Sequence, residues 1–362
     1  MTRLCGLASK GEWNMPRTGS LTTVALIATA VAGSLVVVAT SQPAQAQRKS
    51  IRWAVASVDT YGYKVAASVT KMIEEALGGE YAVTVNPYPS TTADMKATME
   101  GDGEIGYTAD IGMTEYATND GAFRNFRASR GTLVHTWYAY PMETFIAVHA
   151  PKATQFKCWK DFSGKPAFYS PAGFMNWLNI RRAYKVLGYD FRHVQIDPKS
   201  QADALQGGSI VGAAAYTTSG ASLAPYWKET EIRLDVTVVN PCPDEVTKLK
   251  AGGLSLTTVD PKNAFSKAVG VQQIQGVPIL FAYNARADLP EDVVYKMLVA
   301  FEKNKDRLAS TDAGFGPLAQ NFVKLQVDGI NANPDIAVHA GLAKFLKERG
   351  SWDERWKAAP GS

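Results

Sequence analysis

Apolar and polar positions recur in one order along most of the chain: a short apolar run, a polar loop, then an apolar stripe at helical spacing. Ile51-Arg52-Trp53-Ala54-Val55-Ala56 reads as a strand and Ser57-Val58-Asp59-Thr60-Tyr61-Gly62 as the loop. Val65, Val69, Met72, Ile73, Ala76 and Leu77 then form the buried face of a helix. The start of that helix offers unpaired N–H groups and a positive dipole end to an anion. The pattern next predicts a strand over 81–85, stopped by Pro87 and Pro89, and a helix over 93–100 capped by Ser90 or Thr91. Strands are expected over 133–138 and 144–149, either side of Tyr140-Pro141-Met142.

Beyond His149 the composition turns polar, and then the opening unit returns. Ala167-Phe168-Tyr169 reads as a strand, Ser170-Pro171-Ala172-Gly173-Phe174 as a loop, and 175–187 as a helix ended by Gly188. Strands over 194–196 and 210–215 flank a helix over 201–206, and a polar turn follows at 216–220. A strand over 277–283 resumes the first sheet, with helices over 289–301 and 336–349. Strand–helix alternation of this kind predicts an α/β architecture with mostly parallel sheets in two lobes. The chain leaves one lobe, builds the other and returns: 47–150 and 253–362 for lobe I, 151–252 for lobe II. A ligand cleft is then expected between the carboxyl edges of the strands.

Residues 21–40 carry no charge, follow Arg17 and precede Ala44-Gln45-Ala46, which reads as a secretory signal over 1–46 cut after Ala46, with Met15 an alternative start to Met1. The other reading of the run is an uncleaved anchor helix, since its length just suffices to span a bilayer. Cleavage implies a periplasmic protein. The formal charge of the whole chain is +4. No basic run with interleaved aromatics occurs, so nucleic acid is not an expected partner.

Of the three cysteines, Cys158 and Cys242 follow the leader. In an oxidising compartment they form either one bridge, closing a loop of about 85 residues, or two buried thiols. The four histidines, His135, His149, His193 and His339, are scattered with no helical metal spacing. No phosphate loop or G-x-S-x-G elbow is present. The residues therefore point to no catalytic group, no metal and no cofactor.

Five segments in matching order resemble one family. They are Ala109-Asp110-Ile111-Gly112, Asp161-Phe162-Ser163-Gly164-Lys165, Ala202-Asp203-Ala204-Leu205-Gln206-Gly207-Gly208-Ser209-Ile210, Arg286-Ala287-Asp288-Leu289-Pro290-Glu291-Asp292-Val293-Val294-Tyr295, and the closing run from Val338-His339-Ala340-Gly341 to Gly350. Together they resemble the TAXI-type solute receptors of tripartite ATP-independent periplasmic (TRAP) transporters. The resemblance implies a two-lobed, type II-like periplasmic-binding-protein fold. It also implies a monomer that closes over a small organic acid, amino-acid-like or amphipathic solute and delivers it to TRAP membrane subunits. The other machines such a fold serves are an ATP-driven importer and a ligand sensor.

The candidate ligand-binding residues are Ser57, Asp59, Thr60 and Tyr61 in the first mouth and Ser170, Gly173, Phe174 and Asn176 in the second, with Ser90, Thr91, Thr114, Tyr138, Tyr216, Thr217 and Ser219 on neighbouring turns. Relatives carry glycine-rich turns where this chain has bulk, and Asp59 disfavours an adjacent carboxylate. Tyr61, Tyr138, Phe174 and Tyr216 would suit a larger, partly apolar solute rather than a bare dicarboxylate. Duller roles stand beside these: Asp59 as helix cap, the tyrosines as packing, Thr217 and Ser219 as turn residues, and His339 as a brace.

Overall fold

The computed structural model describes residues 48–361; the predicted leader and its cut after Ala46 lie outside them. Strand β1 (Lys49–Ala56) runs into the core, and α1 (Tyr61–Ala76) buries the expected stripe of Val65, Val69, Met72 and Ile73. Strand β2 (Tyr81–Tyr88) pairs in parallel with β1 along its whole length, from Lys49 opposite Tyr81 to Ala56 opposite Tyr88. It therefore continues through Pro87, where a stop was expected. β2 is an edge strand, so a missing N–H can face outward without costing a ladder bond. Helix α2 (Thr91–Glu100), capped by Ser90, leads to β3 (Ile105–Ala109), parallel to β1, and to α3 (Asp110–Ala117).

Strand β4 (Leu133–His149) is one continuous 17-residue element where two strands were expected. Pro141 does not break it: β10 pairs straight across it, with Leu280 opposite, and β6 joins on the other side only from Met142 onward. The rest of the chain adds β5 (Ala167–Phe168), α4 (Met175–Leu187), α5 (Gln201–Gly207), β6 (Gly212–Thr218), β7 (Ser222–Leu223), α6 (Pro225–Arg233), β8 (Val236–Val239), α7 (Pro243–Ala251), β9 (Thr257–Val259) and β10 (Ile274–Arg286). Helices α8 (Glu291–Lys303), α9 (Lys305–Thr311), α10 (Gly316–Ala332) and α11 (Ala340–Glu348) close it. Residues 194–196 form no strand; His193 makes only an isolated bridge to Ala167.

The sheet order is β2-β1-β3-β10-β4-β6-β5, with β7 beside β6, β8 beside β4 and β9 beside β10. The fold is thus α/β as expected, but the sheet is mixed rather than mostly parallel. Parallel pairs (β1 with β2 and β3, β5 with β6) lie toward its two ends. Its middle is antiparallel, because β4 and β10 run alongside each other from Arg286 opposite Leu133 to Val277 opposite Thr144. One end of this ribbon carries β3 at Phe281–Ala285, and the other carries β6 at Met142–Ala147. Two separately built half-sheets are thereby joined through a shared pair of strands.

The second half has its own cluster of buried side chains, including Phe156, Trp159, Phe162, Ile180, Tyr184 and Leu249. Cys158 and Cys242 form a disulfide there, with Cα atoms 5.2 Å apart. Glu245, wholly buried, accepts hydrogen bonds from the backbone N–H of Trp159 (3.1 Å), Lys160 (2.7 Å) and Cys242 (2.6 Å) and from the Tyr189 hydroxyl (2.7 Å). A buried carboxylate is tolerated only with such donors around it.

Candidate functional site

The first mouth is shaped by how the chain turns between β1 and α1. Thr60 caps the helix: its Oγ1 accepts from the Tyr63 N–H (3.2 Å) and donates to the Ser57 carbonyl (2.7 Å). Asp59 is therefore not the cap. It is exposed, and its carboxylate stands 3.4 Å from Lys199 Nζ in the opposite half. The next residue turns inward: Tyr61 donates to Asp312 Oδ1 (2.8 Å), and its ring meets Tyr140 edge-on at 4.9 Å. Burial pushes the Tyr61 hydroxyl far above the ordinary phenol range, with Asp312 adding to the shift. Burial also acts to raise Asp312, but Lys64, the Gly314 N–H and Tyr61 together hold its carboxyl below the usual value.

Gly62 allows α1 to start directly under an aromatic stack. A Cβ there would lie 2.5 Å from the Tyr107 ring, which is itself held by Phe281 and Tyr283 at centroid distances of 5.0 and 5.1 Å. Tyr283 fixes the other side by donating to the Gly62 carbonyl (2.6 Å). Gly62→Ala is therefore expected to lower stability by about 1–3 kcal/mol, since the ring cannot yield without disturbing its neighbours. Urea unfolding of the variant checks this, and an unchanged midpoint would show that the stack has slack.

The second mouth is the loop between β5 and α4. Ser170 and Gly173 both take positive φ, +74° and +85°. The Gly173 carbonyl accepts from Thr92 twice, from N–H (3.2 Å) and Oγ1 (2.9 Å), so this loop rests on the start of α2 in the first half. Ser90 lies close against Gly173, 2.8 Å from where a Cβ would be. Helix α4 begins after Phe174 with no side-chain cap. Below it, Thr144 donates to Asn176 (2.6 Å), Asn179 donates to Thr144 (3.0 Å) and Arg182 donates to Asn179 (2.8 Å), a buried polar chain that fixes the helix against β4. The Ser170 hydroxyl is buried beside that of Tyr226.

Between the two mouths lies a cavity of about 590 Å³. Ser57, Asp59, Thr60 and Pro89 line it from the first half; Pro171, Phe174, the segment from Gln195 to Lys199, Pro225, Tyr226 and Glu229 line it from the second. Beneath it is a crevice of only about 10 Å³ among Tyr61, Gly62, Thr91, Tyr107, Met142, Asn176, Tyr216 and Phe281. Thr60 and Phe174 touch both spaces, so Phe174, 8% exposed, forms the floor of one and the roof of the other.

Ten of the candidate residues thus gather at or beside the cleft: Ser57, Asp59, Thr60, Tyr61, Ser90, Thr91, Gly173, Phe174, Asn176 and Tyr216. Ser170 lies in the same loop as Gly173. The remaining four stand elsewhere because other partners hold them. Tyr138 is buried under α10, its ring crowding Gly329 and its hydroxyl 2.6 Å from His135 Nδ1. Thr114 bonds Asn333, Thr217 donates to the buried Glu143, and Ser219 donates to the Gly314 carbonyl. Sequence reasoning missed Asp197, Lys199, Tyr226 and Glu229, whose common signal is a proline at the start of each short segment (Pro198 and Pro225).

Among the described residues, one group of metal-capable side chains clusters: Cys158, Cys242 and Glu245. The sulfurs are spent in the disulfide and the carboxylate on its four donors. No helix of the described residues is long and apolar enough to cross a membrane.

No family model matches the chain. No curated protein matches it in sequence either. Solved structures resemble it distantly. The alkanesulfonate-binding protein SsuA from Xanthomonas axonopodis pv. citri, bound to MOPS, is 15% identical, with a TM-score of 0.45 over 87% of this chain and 98% of that one. The aliphatic sulphonate binding protein SsuA from Escherichia coli is likewise 15% identical, with a TM-score of 0.45 over 83% and 85%. The amino acid transporter substrate-binding protein AbpA from Streptococcus pneumoniae, bound to L-arginine, is 11% identical, with a TM-score of 0.41 over 78% and 95%. Likenesses this distant assign the chain neither a ligand nor a partner.

Proposed function

We propose that the chain is an exported solute-binding receptor. It captures an amino-acid-like or amphipathic solute, organic acids among them, by closing two lobes, and hands it to membrane subunits of the TRAP type. The lobes are 47–150 with 253–362, and 151–252. The observation that carries the reading is the cavity of about 590 Å³ whose walls come from both halves of a sheet joined through β4 and β10. That volume falls in the range of small-molecule sites, and a two-strand ribbon is a natural hinge. Bridges across the cleft fit a closed form: Lys199 with Asp59, Thr92 with Gly173, and Arg181 with Glu115 at 2.9 Å. A ligand would favour closure only as far as it binds the closed form better than the open one.

The TRAP assignment rests on the five sequence segments alone. The same cleft would serve an ATP-driven importer or a sensor, and uptake reconstituted with candidate membrane subunits under an ion gradient or with ATP separates these. Periplasmic residence, a cleaved leader, a monomeric state and a non-catalytic role belong to the same proposal.

A thermal-shift screen of organic acids, amines and amino acids tests the binding role. A ligand at about a hundred times its dissociation constant adds roughly 2.7 kcal/mol of stability. Asp59→Ala should weaken a confirmed ligand while leaving the unliganded midpoint nearly unchanged; Phe174→Ala should weaken it too, with a lowered unliganded midpoint because the ring is buried. A screen without a hit, or a hit indifferent to both variants, would remove the cleft from the account.

A further inference from the structure

The walls of the cavity are unequal in charge. Three carboxylates line it, Asp59, Asp197 and Glu229, against the single ammonium of Lys199. Lys199 is already engaged: its Nζ meets Asp59 and its backbone N–H donates to Asp197 Oδ1 (2.9 Å). Glu229 has no ion-pair partner among the described residues, although the chain as a whole is net positive. Beside the neutral polar groups of Ser57, Thr60 and Gln195, the lining has a stiff apolar part, with Pro89, Pro171, Pro198, Pro225, Phe174 and Ile196.

An independent feature points the same way. Tyr226 lines the cavity and is only 8% exposed, its hydroxyl buried beside those of Ser170 and Tyr216. Aromatic faces beside carboxylates also attract organic cations through the ring quadrupole.

We propose that the cavity takes a solute with a cationic amine or guanidinium head on an apolar body, the head held by Glu229 and Asp197 and the body by Phe174, Tyr226 and the prolines. This rests on the reading of the cleft as a solute site and names the class of solute. An isolated carboxylate would meet Asp197 and Glu229 beside an Asp59–Lys199 pair whose lysine is already occupied, which is unfavourable. An amino acid could still enter with its amine toward Glu229.

The test uses matched probes of opposite charge, phenethylamine and 3-phenylpropanoate, with agmatine as a guanidinium probe, titrated calorimetrically against the exported chain and its Glu229→Gln and Asp197→Asn variants. The expected result is binding of phenethylamine or agmatine, weakened about fivefold by Glu229→Gln and further by added salt, with no heat from 3-phenylpropanoate. Binding of 3-phenylpropanoate in place of the amines overturns the cationic class while leaving the receptor reading standing. Amine binding unaffected by both variants and by salt overturns the role of these carboxylates. Absence of binding by all three probes, with no hit in the broader screen, overturns the class and the receptor reading together.

Discussion

Replacing Cys158 and Cys242 by serine is expected to lower the unfolding free energy by about 3–4 kcal/mol, the largest effect of any substitution considered. The two residues are 84 apart in sequence, and loop-closure entropy for that length comes to about 4.5 kcal/mol. The expected loss is somewhat smaller because the two turns do not rely on the bridge alone. Glu245 binds backbone N–H groups from both, Trp159 and Lys160 on one side and Cys242 on the other, and would keep the ends close after reduction. Combining the serine substitutions with Glu245→Gln should therefore cost more than the sum of the separate losses, because each element masks part of the other's role. Urea unfolding of the oxidised, reduced and substituted chains measures this. Equal midpoints with and without reductant would mean that the bridge adds nothing to the fold. Because the staple lies in the second half, remote from the cavity lining, ligand affinity should survive at temperatures where the reduced chain stays folded.

Much of the architecture was legible from periodicity, and where it failed the reasons are physical. Helix α1 and helix α4 show their buried stripes plainly, and the two strand–loop–helix mouths do face one cavity. β4 read as two strands because Pro141 usually ends a ladder, whereas here it lies just before the stretch that β6 joins. α10 went unread, although Leu318, Phe322, Leu325, Gly329 and Ile330 recur at helical spacing. Tyr138 was assigned to the cleft because β4 is buried along nearly all its length, so alternation cannot tell which face looks toward the ligand.

Several residues that resemble family motifs turn out to brace the fold. The buried Arg286 guanidinium donates to the Thr98 carbonyl (3.0 Å) and bonds Gly103 and Asp288, tying β10 to α2 and the start of β3. His339 accepts from the Gly341 N–H as the cap of α11, and its other ring nitrogen lies 2.9 Å from the Leu289 carbonyl. Burial lowers its pKa to about 4, so it stays neutral in this role. The motif segments therefore report on the scaffold, while the groups lining the cavity come from short loops that carry no periodicity. That division explains why the fold could be anticipated from sequence and the lining of the cavity could not.

Asp94→Asn is expected to raise stability at pH 7.5, with the gain shrinking as the pH falls toward 4. Asp94 sits in the first turn of α2, wholly buried, and neither carboxylate oxygen has a hydrogen-bond partner. Burial holds its carboxyl well above the ordinary aspartate range, so the folded chain keeps a proton that the unfolded chain releases near pH 4. Folding between those two values takes up a proton, and stability falls as the pH rises, by about 1.4 kcal/mol per unit while the difference persists. Below the unfolded value both states are protonated and the penalty vanishes. Asparagine retains the shape and an equally unpartnered polar head but carries no titration, so the variant isolates the charge term from packing. The phenols of Tyr88 and Tyr283, which feel the Asp94 charge, stay neutral throughout this range, because burial raises both above their usual value. Urea unfolding of both proteins at pH 4.5, 6 and 7.5 should give a widening gap. A gap independent of pH would show that Asp94 is ionised and compensated in the folded chain.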